Sequence, residues 1–218
     1  MGAPRPGEAI QLFNGKNLDG FYTWLEKYGR NQDPDRVFTV HNGMIHVSGA
    51  EFGYFATEAE YENYRLTLEF KWGEKTHPPR SGLARDSGVL YHFVGPDKIW
   101  PKSIEFQIIE GGTGDIILVD GAALTVGGVA NTEGRIDRRG KGKWEDVAGY
   151  RDPAGEVENP RGEWNRLELI ADGDSVKYFV NGKIVNEGTA ASPRRGKILF
   201  QSEGAEVFFR NIVLQPLK

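Results

Sequence analysis

Apolar and polar residues alternate with a period of two along much of this chain, which is the pattern of half-buried β-strands. Residues 64–72 show it most clearly, because Leu66, Leu68, Phe70 and Trp72 share one face and polar residues share the other. Similar short segments follow one another with turn signals between them. The predicted strands are residues 36–40, 44–47, 64–72, 87–94, 103–110, 115–119, 122–126, 164–171, 175–180, 183–185, 197–201 and 207–214.

The turn chemistry between these segments is that of antiparallel strands. Asn42-Gly43 and Asn181-Gly182 are typical two-residue hairpin turns. The single helical signal is a turn at residues 57–61, which Thr57 could cap. Many strands without helices predict an all-β sandwich or barrel. Since no linker divides the chain, we expect one domain over residues 8–218, preceded by a flexible tail at residues 1–7.

Composition and charge narrow the function classes. A chain of 218 residues buries roughly 70% of its unfolded surface, so it does not need disulfides to be stable. The absence of cysteine excludes disulfides and thiolate metal sites. A net charge of −4 argues against a protein that binds nucleic acid through a basic surface. No apolar run is long enough to cross a membrane, and the first residues do not have the apolar core of a signal peptide.

The most informative segment is the predicted strand at residues 103–109. One face is apolar and belongs against a core, with Ile104, Phe106 and Ile108. The opposite face carries Ser103, Glu105, Gln107 and Ile109. Glu and Gln are depleted in strands. This face is therefore either part of a functional site or simply solvated, and both interpretations stay open at this point.

Several motifs together resemble one known family. They are LFNGKNLDGF at residues 12–21, DSGVLYH at 86–92, SIEFQI at 103–108, GDI at 114–116, EWNRLE at 163–168, VNGK at 180–183, GKILFQSEG at 196–204 and VFFRNI at 207–212. In this order they are similar to the 3-keto-disaccharide hydrolase family, from about residue 10 to residue 217.

The resemblance carries expectations about fold, location and activity. It implies a concanavalin A-like jelly-roll sandwich of two curved antiparallel sheets, with a saccharide site on the concave sheet. It also implies export to the periplasm or the cell exterior, the leader having been removed. Members cleave glycosides whose sugar carries a ketone at carbon 3, so a saccharide or glycoside is the expected partner.

Glu105 is the first candidate for general acid or base chemistry, and Gln107 beside it would orient Glu105 or a sugar hydroxyl. Glu110 joins them only if a β-bulge after Gln107 turns it to the same face. The spacing Glu-x-Gln-x-x-Glu then resembles the Glu-x-Asp-x-x-Glu of jelly-roll β-glucanases. Gln107 in place of the Asp argues against a retaining double displacement. Glu110 could equally be a turn residue before Gly111-Gly112.

His92 is the second candidate, because strict alternation places it on one face with Gly88 and Leu90. An unperturbed imidazole pKa near 6.5 suits proton transfer. A lone strand histidine is also often structural, and that alternative stays open. Lys102 immediately precedes the Glu105 strand and could face a developing oxyanion, although a solvated lysine is an equal alternative.

The remaining candidates are substrate-binding residues. Arg80, Arg85 and Asp86 lie at the loop that leads into the His92 strand, and Asp86 could instead close the turn. Trp100 and Trp144 could stack on a sugar ring. The long polar segment 131–160 either covers a cleft or forms a surface insertion. No spacing names a metal, so we expect no cofactor, and a role for a divalent cation such as calcium stays open.

The hypothesis from the sequence is cleavage of a 3-keto-glycoside by proton abstraction at carbon 2, elimination and hydration. His92 or Glu105 would be the base, Lys102 or an arginine would face the oxyanion, and Glu110 or Glu105 would be the acid. Two rivals are a retaining β-glycosidase that uses Glu105 and Glu110, and a carbohydrate-binding module without catalysis. The oligomeric state is not predicted.

Overall fold

The computed structural model describes residues 7–217, so residues 1–6 of the predicted tail and residue 218 lie outside the described range. Within that range there is no helix, and none of the described residues provides a helical segment that could span a membrane. The described strands are β1 (Ile10–Gln11), β2 (Phe21–Leu25), β3 (Gly29–Arg30), β4 (Phe38–His41), β5 (Met44–Val47), β6 (Gly53–Thr57), β7 (Tyr64–Thr76), β8 (Asp86–Phe93), β9 (Ser103–Ile109), β10 (Ile116–Val119), β11 (Ala123–Val126), β12 (Val129–Asn131), β13 (Gly134–Ile136), β14 (Asn165–Asp172), β15 (Ser175–Val180), β16 (Lys183–Ser192), β17 (Lys197–Ser202) and β18 (Ala205–Pro216).

These strands form two antiparallel sheets, which confirms the predicted all-β class. A ten-stranded sheet has the order β12-β11-β16-β15-β14-β7-β18-β5-β4, with β1 paired to β18. An eight-stranded sheet has the order β13-β10-β9-β8-β17-β6-β2-β3. Strands distant in the sequence therefore become neighbours, and β17 lies between β6 and β8.

The main core lies between the two sheets and follows the period-two pattern of the sequence. Leu66, Leu68 and Phe70 of β7 are buried there, opposite Phe106 and Ile108 of β9 in the other sheet. Phe106 stacks on Tyr178 with ring centroids 4.2 Å apart. Burial of large apolar side chains from both sheets is the main stabilising contribution in such a sandwich.

The turn predictions are confirmed at both Asn-Gly pairs. Asn42 and Gly43 have φ values of 52° and 72°, and Asn181 and Gly182 have 49° and 79°, as a type I′ turn requires. The predicted helical turn at residues 57–61 is wrong. Thr57 ends β6, and its hydroxyl oxygen accepts a hydrogen bond from the backbone N–H of Ile198 in β17. The hydroxyl thus extends the sheet pairing and does not cap a helix.

The outer face of the eight-stranded sheet, which points away from the main core, has a smaller apolar cluster of its own. Its buried members are Tyr22, Tyr54, Ala56, Leu90, Phe93 and Leu199. Asp97, in the segment between β8 and β9, accepts hydrogen bonds from the hydroxyls of Tyr22 and Tyr54 at 2.6 and 2.9 Å. These two hydrogen bonds hold the segment across the apolar half of the outer face.

Candidate functional site

Strand register places two rows of side chains side by side on the outer face. In one row, Arg135 of β13 pairs with Ile117 of β10, and Ile117 pairs with Glu105 of β9. In the other row, Gln107 pairs with Gly88 of β8. Because side chains alternate along each strand, these residues share the face of the sheet that the main core does not use.

The two rows line a cavity of about 450 Å³, a volume within the usual range for small-molecule sites. We call it the outer-face cavity. Its polar residues are four carboxyl groups, two amides and one guanidinium. The lining residues are Asp86, Trp100, Glu105, Gln107, Ile117, Leu118, Val119, Asp120, Arg135, Gln201 and Glu203.

Glu105 is the most deeply placed carboxyl group, with 4% of the residue exposed. Burial raises its pKa well above the ordinary value, and the nearby charges of Glu203 and Asp86 raise it further. Arg135 works against this rise, but burial dominates and favours the protonated form of Glu105. The side-chain oxygen of Gln201 is buried and has no hydrogen-bond partner among the described residues. Both this oxygen and Glu105 Oε1 lie beside Gly88.

Gly88 leaves the space in which these two side chains meet. A Cβ atom at this position would lie 2.2 Å from Glu105 Oε1 and 2.3 Å from Gln201 Oε1. Both oxygens therefore lie directly over the glycine. A strand glycine often marks a close approach of this kind, so here it is part of the site.

Asp86 and Glu203 form a coupled acidic pair at the same cavity. Burial raises the pKa of Asp86 to about 7, although the Arg80 guanidinium, 4.0 Å away, works against that rise. Burial and the charge of Asp86 raise the pKa of Glu203 well above its ordinary value. The Gln107 amide donates to Asp86 Oδ1 at 3.1 Å and fixes this carboxyl group. Both carboxyl groups of this pair therefore hold their protons more strongly than exposed carboxyl groups do.

Arg135 brings a positive charge to the rim of the cavity. Its Nε donates to Asp115, which is fully buried, at 2.6 Å. Its guanidinium also lies 4.9 Å from the ring centroid of Trp144. Trp144 lies outside the lining of this cavity and its ring contacts Arg135, so its predicted sugar-stacking role has no support at this cavity. Trp100 does line the cavity, as predicted.

The prediction that His92 shares a face with Gly88 and Leu90 is wrong. His92 has a φ of 56°, and the register between β8 and β17 shifts at this point, so a bulge turns the imidazole away. Its ring packs against Tyr64 and Tyr91, and its Nδ1–H donates to the backbone oxygen of Pro193. Burial lowers the imidazole pKa to about 4. His92 is thus a neutral interior residue outside the site.

Glu110 does not join Glu105, so the predicted pairing is wrong. β9 ends at Ile109, and Glu110 lies in the following turn. Its carboxylate accepts hydrogen bonds from the Arg85 backbone N–H, the Arg85 guanidinium and the Gly149 N–H, at 2.9, 3.0 and 2.8 Å. Arg85 is equally buried and also donates to two backbone carbonyls. Both residues are held in a structural ion pair, and neither lines the outer-face cavity.

Two other predicted cations lie outside the cavity lining. The amine of Lys102 points toward Gly121, where a Cβ would lie 3.9 Å from it. Arg80 is paired with Asp146 at 2.7 Å and donates to the Ala84 carbonyl. Its predicted role as a direct substrate ligand is therefore not supported, but its charge acts on Asp86. Within the polar segment 131–160, Arg135 is the residue that reaches the cavity.

The cavity carboxyl groups are not arranged as a metal centre. Among residues 7–217, no group of three or more His, Asp or Glu side chains is placed to hold a metal ion. Asp115 is occupied by Arg135 and Lys141. The polar groups are instead suited to hydroxyl recognition, because amides and carboxyls both donate and accept when the carboxyls are protonated.

Reasoning from the strand pattern missed Arg135, Gln201 and Glu203. Gln201 and Glu203 belong to the 196–204 motif that supports the family resemblance, so a signal for them was present. Arg135 lies in the polar segment without any motif. The cavity thus combines carboxyl groups with raised pKa values and nearby N–H donors, a set of groups that can donate and accept protons.

Comparison with known proteins agrees with this architecture. The family model described as the 3-keto-alpha-glucoside-1,2-lyase-like domain matches residues 8–215. No curated protein matches the chain.

Solved structures share the fold along nearly the whole chain. A candidate glycosyl hydrolase from Parabacteroides distasonis has a TM-score of 0.64 at 21% identity, and the match covers 96% of this chain and 94% of the other. A carbohydrate-binding module from Bacillus subtilis has a TM-score of 0.59 at 10% identity, covering 90% and 95%. A Bacillus licheniformis β-glucanase has a TM-score of 0.55 at 14% identity, covering 98% and 100%. At these identities the likeness establishes the jelly-roll fold alone.

Proposed function

This chain belongs to the family of 3-keto-alpha-glucoside-1,2-lyase-like domains, and on that premise we propose that its outer-face cavity cleaves glycosides whose sugar ring carries a ketone at carbon 3. One observation carries the proposal. Three carboxyl groups with raised pKa values, Asp86, Glu105 and Glu203, meet two amides and a guanidinium in one cavity large enough for a sugar.

The first step is removal of the proton on carbon 2. A ketone at carbon 3 acidifies this proton, because the resulting charge is delocalised onto the ketone oxygen as an enolate. Asp86 is the proposed base. Its pKa of about 7 gives a substantial carboxylate fraction at neutral pH while keeping the conjugate acid strong enough to be useful. The Gln107 amide holds the Asp86 carboxyl in place.

The enolate oxygen needs hydrogen-bond donors or a positive charge. Arg135 is the cavity cation, and the side-chain amides of Gln107 and Gln201 add further N–H groups. Donors fixed in position before the reaction stabilise developing charge without reorganisation. This assignment replaces Lys102, which lies outside the cavity lining.

The second step is breakage of the bond between carbon 1 and the leaving oxygen. The enolate electrons form a carbon 1–carbon 2 double bond, and Glu105, whose pKa burial raises well above its ordinary value, gives a proton to the leaving oxygen. Water then adds across the double bond, with its hydroxyl on carbon 1 and a proton on carbon 2. The net result is hydrolysis to a 3-keto sugar and the free alcohol.

A substrate comparison tests the proposal. The protein is incubated with 3-keto-trehalose and 3-keto-lactose and, in parallel, with trehalose and lactose. Cleavage of the oxidised sugars only is expected, with strong loss in Asp86→Asn and Glu105→Gln. Equal cleavage of the parent sugars would contradict the enolate route, and binding without turnover of any of the four would leave a binding module as the better description.

A further inference from the structure

A second cavity lies beyond the opposite end of β9, away from the carboxyls of the outer-face cavity. It has a volume of about 240 Å³ and lies between Trp72 of β7 and residues 149–161. Glu110, Arg151, Glu158 and Arg161 contribute to its lining. We call it the Trp72 cavity. Nothing in the proposed reaction uses it.

Glu158 is the residue that marks this cavity as a binding site. The residue is 8% exposed, and its Oε2 accepts a hydrogen bond from the indole N–H of Trp72 at 3.1 Å. Its Oε1 is buried and has no partner among the described residues. Burial raises the pKa of Glu158 to about 7, and the neighbouring Thr113 hydroxyl and Trp72 indole work against that rise. The Thr113 hydroxyl also donates to the backbone oxygen of Ile109 at 3.2 Å. Buried polar atoms are rarely left without a partner, so Oε1 is open to a group that enters the cavity.

The other carboxyl groups of this cavity are already occupied. Glu110 is held by Arg85 and Gly149, as described above. Glu156 accepts hydrogen bonds from three backbone N–H groups, those of residues 152, 157 and 158. The Arg151 guanidinium is occupied as well, because it donates to the backbone oxygens of residues 158 and 159 at 2.8 and 3.1 Å. The Glu158 carboxyl and the exposed guanidinium of Arg161, 3.6 Å from Glu74, remain to contact a ligand.

The charges around the cavity select the class of ligand. The two guanidiniums disfavour binding of a cation, and the three carboxyl groups disfavour binding of an anion. A neutral molecule with several hydroxyls satisfies both, because each hydroxyl can donate to an oxygen and accept from a guanidinium. The cavity has about half the volume of the outer-face cavity, about 240 Å³ against about 450 Å³, so the smaller ligand, a single sugar ring, fits it better.

We propose that the Trp72 cavity binds a single neutral sugar ring, independently of the outer-face cavity. The ligand bonds to Glu158 Oε1 and to the guanidinium of Arg161 at the cavity mouth. The site is therefore suited to a monosaccharide, whereas the outer-face cavity takes the larger glycoside.

Indole N–H resonances allow both cavities to be followed in one experiment. Trp72 reports on its own cavity through its bond to Glu158, and Trp100 reports on the outer-face cavity. D-glucose is titrated into ¹⁵N-labelled full-length protein up to the millimolar range, where weak sites saturate. Trp72→Phe and Trp100→Phe assign the two peaks.

The expected result is a saturable shift of the Trp72 peak that persists unchanged in Glu105→Gln and disappears in Glu158→Leu. If Glu158→Leu does not fold, Arg161→Ala is the deciding variant, because that side chain is 47% exposed and should weaken binding several-fold without unfolding the chain. An immobile Trp72 peak overturns the proposal. So does a shift that is lost in Glu105→Gln, or an affinity that Arg161→Ala leaves unchanged.

Discussion

Glu105 and Glu110 lie at two ends of the same stretch of chain and are equally buried, at 4% exposure each, but their surroundings differ completely. Glu110 is held by a guanidinium and two backbone N–H groups. Glu105 faces a cavity with two other carboxyls nearby, and among the described residues no cation forms an ion pair with it. Partners, more than burial, therefore decide whether a buried carboxyl is structural or available for chemistry.

Glu105→Gln is expected to have the largest effect on activity. The amide keeps the shape, but it cannot supply an acidic proton. We expect kcat/KM on a 3-keto-glycoside to fall by about 10²–10⁴-fold, with a thermal unfolding midpoint equal to or above that of the wild type. Steady-state kinetics and circular dichroism melts measure the two effects. Activity within tenfold of wild type would remove Glu105 from the mechanism.

Glu110→Gln should show the opposite behaviour. It leaves the Arg85 guanidinium buried without its carboxylate, and breaking a buried ion pair typically costs about 3–5 kcal/mol. Urea unfolding measures the loss, and kcat/KM is then measured at a temperature at which the variant is folded. There we expect near wild-type turnover. A large loss of activity at unchanged stability would instead favour the retaining glycosidase.

Asp86 should set the acidic limb of the pH profile. A base must be ionised, so kcat/KM should rise with pH through about 7, and Asp86→Asn should remove this limb along with most activity. The stability of the fold should change with pH in the opposite direction to the activity. Because folding raises the Asp86 pKa from about 3.9 to about 7, the free energy of unfolding falls by a few kcal/mol as pH rises between these values.

The matched measurement for stability is urea unfolding of the wild type and Asp86→Asn at several pH values. In Asp86→Asn, the part of the decrease in the free energy of unfolding that comes from Asp86 should be absent. A wild-type profile with no limb near pH 7 would contradict the role of Asp86 as base.

Gly88→Ala tests the space between Glu105 and Gln201. The added methyl would overlap both side-chain oxygens, and these flexible ends can move aside, so the fold should survive. A displacement of about 1 Å can cost about 10²-fold in rate, and we expect a loss of that order in kcat. Unchanged kinetics would mean that the two side chains do not act from the positions described here.

His92→Gln should have the smallest effect. His92 lies on the core side of the bulge, so kcat/KM should stay within about threefold, equivalent to about 0.6 kcal/mol. Stability changes are checked in the same melts. A large kinetic loss at unchanged stability would return His92 to the list of candidate bases.

The sequence predicted the parts of the site that depend on local alternation. Ile104, Phe106 and Ile108 are buried in the core, and Glu105 and Gln107 share the opposite face, as period two requires. The prediction failed where the backbone departs from that period. His92 itself adopts a left-handed conformation inside β8, which turns its side chain to the other face. β9 ends at Ile109, so Glu110 lies in a turn and no longer follows the alternation.

Residues brought together by sheet order could not be predicted from local pattern. Gln201 reaches the cavity because β17 pairs with β8, about a hundred residues earlier in the chain. Arg135 arrives through the short strand β13, which carries no alternation strong enough to detect. Such contacts depend on topology, which a family motif can indicate but strand periodicity cannot.

Solvent deuterium incorporation tests the central claim most directly. A 3-keto-glycoside is cleaved in deuterated water, and the new 3-keto sugar is examined by NMR, with the same sugar incubated in buffer as the control for spontaneous exchange. The proton that Asp86 takes from carbon 2 exchanges with the solvent before hydration, so elimination followed by hydration places deuterium on carbon 2 of the product, and this is the predicted result. A product that retains its original hydrogen on carbon 2 would contradict the enolate route and show that the glycosidic bond is broken by direct hydrolysis.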